Sequence, residues 1–175
     1  ASDVYKRQVP ALYAGSVPEL QRMLGNLLKI MDKAAAHAEA RRFSPDAYLA
    51  LRLAPDMLPF TKQIQIASDN AKGCVARLGG QEVPAWPDDE TTFEQLRERV
   101  QRTLDYVAAA PAEAFQGAEA REVVLKFRNR DPIVFTGEDY LRFFALPNFY
   151  FHLTTAYALL RQAGVDLGKA DFLGG

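Results

Sequence analysis

The stretch from Asp139 to Gly164, DYLRFFALPNFYFHLTTAYALLRQAG, constrains this chain more than any other. It holds the densest aromatic cluster and one of the two histidines. At about 100° per residue, Leu146, Tyr150, Leu153, Tyr157 and Leu160 fall on one apolar stripe. Phe149, Ala156 and Leu159 widen that stripe, and His152 lies among them. A helix with so broad an apolar arc is the central member of a helical core rather than a surface helix. Pro147 in its interior predicts a kink or a restart.

Length and charge remove other classes. A chain of 175 residues reads as one domain with its own core. With 49% hydrophobic and 25% charged residues it is neither disordered nor fibrous. A net charge of −1 leaves no electrostatic footprint for nucleic acid or an anionic membrane. The apolar runs are too short to span a bilayer. No N-terminal apolar run of signal-peptide type occurs, and the single Cys74 suits a reducing compartment, so the reading is cytoplasmic. Residues 1–8, ASDVYKRQ, share no pattern with the rest of the chain. They read as a non-native adaptor, which leaves 9–175 as the domain.

The remaining helices follow from caps and periodicity. Ser16 and Glu19 flank Pro18 as a capping box, and Leu20, Leu24, Leu27, Met31 and Ala34 then recur at core spacing. Gly25 within this helix predicts a close helix–helix contact. Ser44-Pro45 opens a short helical turn. Ala54-Pro55-Asp56 starts the second long helix, whose core face runs from Met57 and Phe60 to Cys74 and Leu78. Gly79-Gly80 ends it. Pro84 and Pro87 around Trp86 make a rigid extended linker, with Trp86 as a lid. Thr92 and Gln95 form another capping box, opening a third helix closed by Pro111. Its charges, including Glu94, Arg97, Glu98, Arg99 and Arg102, read as a solvated face. Residues 122–127 and 132–135 alternate around a polar turn and read as a short hairpin. The predicted fold is all-α: a four-helix bundle with a small hairpin between helices 3 and 4.

Three segments carry a resemblance: SVPELQRMLGNL, RLAPDMLPFTKQIQIASDNAK and FALPNFYFHLTTAYALLRQAGVDLGKADFLG. Together they resemble a bacterial family of unknown function in the DinB/YfiT-like superfamily of four-helix bundles. That resemblance implies the bundle fold and frequent dimerisation. It also implies a relationship to metal-dependent thiol transferases, since metal-binding members bring one histidine from the second helix and an HxxxH pair from the fourth. Here His152 stands at the second position of that pair and Asn148 at the first, while the second helix offers only Gln63, Gln65 and Asp69.

From the residues themselves, Asn148 and His152 share one helix face, being four apart. The second helix has two polar seams, Asp56–Gln63–Asn70 and Gln65–Asp69–Lys72. Asp69 and Lys72 alone would make an intrahelical ion pair. A buried imidazole needs partners, and amides or carboxylates on the second helix can supply them. The candidate ligand-binding residues are therefore Gln63, Gln65, Asp69, Asn148 and His152. Two classes of function stay open. One is a small-ligand or interaction module with a polar pocket between helices 2 and 4, without metal or other cofactor. The other is a metal-dependent transferase or hydrolase with a rebuilt site, in which His152 and Asp69 would hold a divalent metal. Phe143, Phe144 and Phe151 lie off the main stripe and predict a twofold interface in a homodimer.

Overall fold

The computed structural model describes residues 8–175, so the segment read as an adaptor lies outside the described residues apart from Gln8. The chain enters through one helical turn, α1 (Ala11–Ala14), and continues into α2 (Val17–Ala40). A 3₁₀ turn at Pro45–Tyr48 leads to α3 (Phe60–Leu78) and, after the linker, α4 (Phe93–Ala108). Two further 3₁₀ turns precede the antiparallel pair β1 (Glu122–Leu125) and β2 (Ile133–Thr136), in register from Glu122 opposite Thr136 to Leu125 opposite Ile133. Then come α5 (Gly137–Tyr140), a π-helical turn at Leu141–Ala145, α6 (Leu146–Gln162) and α7 (Lys169–Leu173).

The bundle is built from α2, α3, α4 and α6. Packing is heaviest between α3 and α6 and between α2 and α4, and α7 lies along α2. Gln63 meets His152 at one end of α3, and Arg77 meets Tyr140 at the other, so α3 and α6 run antiparallel. Leu20, Leu24, Leu27, Met31 and Ala34 are all buried, as their spacing requires. Phe60, Phe93, Phe115 and Phe149 fill the centre, each worth about 1.5–3 kcal/mol of burial. On α6 the buried face centres on Phe149, Leu153, Ala156 and Leu160, while Tyr150 and Tyr157 sit at its margins.

The structure differs from the sequence reading at several points. The Ser16–Glu19 capping box does not form: Ser16 is fully buried and its hydroxyl turns back to the Leu12 carbonyl. Because α1 precedes α2, that hydroxyl finds a carbonyl one turn earlier, and Glu19 instead accepts from the Tyr150 hydroxyl. The second long helix starts at Phe60, with Pro59 in extended geometry at its N-cap, so Asp56 lies before the helix. A proline inside the first turns would have removed an interior hydrogen bond, and the cap position avoids that. Gly25 makes no close contact: a Cβ there would meet nothing within 4 Å. The break expected at Pro147 appears as the π turn just before it, which absorbs the proline ring and the missing N–H by widening the ladder. The Thr92–Gln95 capping box and the hairpin form as read.

Candidate functional site

His152 is buried to 9% exposure on the α3-facing side of α6. Its Nδ1 lies 2.7 Å from Gln63 Oε1, and Gln63 Nε2 donates to the Leu58 carbonyl at 3.0 Å. That second bond orients the amide. With the amide oxygen toward the ring, Nδ1 carries the proton and donates, which leaves a lone pair on Nε2. Burial lowers the His152 pKa below its ordinary 6.5 and so favours the neutral imidazole. No described residue hydrogen-bonds to Nε2. Asn148, one turn earlier and half-buried, stands on the same face of α6.

The five predicted residues divide between two sides of α3. Gln63 and Gln65, two apart, point about 200° apart around a helix. Gln63 reaches His152, whereas Gln65 donates to Glu90 Oε2 at 2.7 Å on the α4 side. Asp69, one turn after Gln65, shares that side. Its Oδ1 accepts from Lys72 at 2.9 Å and from Arg99 at 3.0 Å. Thus Gln63, His152 and Asn148 stand together, and Gln65 and Asp69 belong to a second cluster. Asn70, in the Gln63 seam, donates to the Ile66 carbonyl of its own helix.

The hub of the second cluster is Arg99, which the sequence reading placed on a solvated face. It is 4% exposed. Its neighbours in the helix explain why: Leu96, Arg99 or Val100, Thr103 and Val107 follow core spacing, and all are buried. Arg99 binds Glu90 Oε1 and the Pro87 carbonyl at 2.9 Å each, and Asp88 at 3.1 Å. Burial opposes its charge, but Glu90, Asp69 and Asp88 together outweigh that and raise its pKa. Three shielded polar atoms of α3 and α4 lack a partner among the described residues: Gln65 Oε1, Ser68 Oγ and Arg99 Nε. Periodicity carried the signal for Arg99. Glu90 is three residues before the helix and carried none.

Cys74 is buried with its thiol pushed up to about 12 by desolvation, which keeps it unreactive. Among the described residues no group of three or more His, Cys, Asp or Glu side chains is placed to hold a metal. One His152 nitrogen is taken by Gln63, Asn148 is a weak donor for a transition metal, and Asp69 is engaged by two cations on the other side of α3. The donor set does not fit the three-imidazole centre. No described helix is long and apolar enough to cross a membrane.

A bundle of four long helices, a hairpin before the last and a polar pair between α3 and α6 define a DinB-like helical protein. Residues 12–173 match the model of the family described as Domain of unknown function (DUF1993), and the chain belongs to that family. It is also similar to the crystal structure of a DinB family member protein from Shewanella denitrificans, with 40% sequence identity and a TM-score of 0.85. That match covers 94% of this chain and 92% of the other. No curated protein matches the chain.

Proposed function

We propose that this chain is a binding module that holds a small molecule at His152, between α3 and α6, without a metal. The observation that supports it is an imidazole held at Nδ1 by Gln63 while no described residue bonds to Nε2, in a buried setting that favours the neutral ring. Such a nitrogen accepts a hydrogen bond from a hydroxyl or N–H, and the Asn148 amide can add both a donor and an acceptor. No described serine, threonine or cysteine is hydrogen-bonded to His152, and the Thr155 hydroxyl, three residues on, donates to the Phe151 carbonyl instead. The metal-dependent enzyme reading would need donors beyond His152 and Asn148, and Gln63 cannot serve while it orients the ring.

A thermal-shift screen of small hydrogen-bond donors tests this, together with metal analysis of protein purified without chelator. His152→Phe is expected to retain the helical fold and to abolish any shift the native chain shows. A shift that persists in His152→Phe overturns the reading, as does stoichiometric zinc, nickel or iron.

Self-association extends the same reading. Phe143 and Phe151 are 63% and 57% exposed, eight residues apart, and touch only neighbours in their own helix, Arg142 and His152, among the described aromatic contacts. A second copy meeting the same stripe would bury both pairs of rings across a twofold axis.

A further inference from the structure

The α3–α4 side carries a feature independent of His152. The linker after Gly79-Gly80 is tied to α4 by Arg99, and an open crevice of about 240 Å³ lies between them. Trp86 and Pro87 form its apolar wall, the exposed Asp89, Glu98 and Arg102 line its mouth, and buried Arg99 lines its base. The Trp86 ring already holds two cations. Lys72 Nζ stands 4.4 Å from the ring centroid and is shielded, with Asp69 as its partner. The Arg102 guanidinium stands at 4.1 Å, is exposed, and has no hydrogen-bond or ion-pair partner among the described residues.

We propose that this crevice binds a small guanidinium-bearing organic cation, which takes the place of Arg102 on the Trp86 face. The ring demonstrably accepts a guanidinium, and an exposed cation–π contact with nothing else holding the side chain exchanges readily. Asp89 and Glu98 are carboxylates at the mouth without partners among the described residues, so a positively charged ligand gains two attractive groups. The cations behind the crevice add no net repulsion, because Glu90, Asp69 and Asp88 together balance Arg99, Lys72 and Lys62.

Trp86 is the sole tryptophan, so its fluorescence reports on this crevice alone. The probe is argininamide, which carries a guanidinium, an ammonium and a carbonyl oxygen; citrullinamide, its neutral isostere at the guanidinium, is the control. Argininamide should give a saturable change, with citrullinamide at least about tenfold weaker. Arg102→Ala removes the resident competitor and should tighten argininamide about fivefold. Asp89→Asn with Glu98→Gln should weaken it about tenfold. All three positions are exposed, and an unchanged far-UV circular dichroism spectrum verifies that each variant folds. Equal responses to the two amides, or an Arg102→Ala affinity no tighter than that of the native chain, overturns the proposal.

Discussion

His152 and Arg99 are buried to a similar degree and meet the cost of burial in opposite ways. Imidazole can stay neutral, and burial favours that form, with one amide partner. A guanidinium cannot lose its proton in a protein, so Arg99 gathers three carboxylates and a carbonyl instead. The lowered pKa of His152 has a consequence for stability. Its folded pKa lies below the ordinary 6.5, so below pH 6.5 the unfolded chain binds more protons than the folded one. Stability is therefore expected to fall as pH drops from 6.5 through the lower folded value, and to be free of this effect above 6.5. Urea titrations across that range should show a steeper acid loss for the native chain than for His152→Gln; identical slopes would refute the assignment. Gly25 is a residue-scale matter too. With open space where its Cβ would be, Gly25→Ala should stabilise α2 by about 0.5–1 kcal/mol and raise Tm by about 1–4 °C. A lower Tm would mean that the helix needs the glycine.

At the scale of elements, α3 is the piece that sorts polar side chains. One side delivers Gln63 to α6; the opposite side delivers Gln65, Asp69 and Lys72 to the linker and α4. The hairpin meets the bundle at a point with no slack. A Cβ on Gly137 would lie 1.9 Å from the Ala118 carbonyl oxygen, so α5 and the 3₁₀ turn at Ala118–Ala120 touch backbone to backbone. Gly137→Ala should force them apart at a cost of about 2–3 kcal/mol. Thermal denaturation measures it, and a Tm unchanged within a degree would show that the turn yields freely.

For the whole molecule, the exposed Phe143 and Phe151 carry the prediction, since two such rings on the surface of the described residues exceed what the bundle itself buries. Light scattering at tens of micromolar is expected to give twice the 19.5 kDa chain mass, and Phe143→Asp with Phe151→Asp to return it to monomer. Monomer alone for the native chain removes the twofold interface.

The bundle, the hairpin and the third helix's capping box were legible because they rest on local physics: periodicity, turn residues and a hydroxyl three residues from an amide. The same is true of His152 sharing a face with Asn148. What the sequence could not decide was which groups meet across space. Glu19 pairs with Tyr150, 131 positions away, rather than with the cap it resembles. Arg99 is interior although it stands in a run of surface charges. Gln63 and Gln65 look equivalent in the chain, yet the rotation of α3 sends them to opposite neighbours. A helix's own residues set the angle between its side chains; only packing against the other helices sets where each angle points.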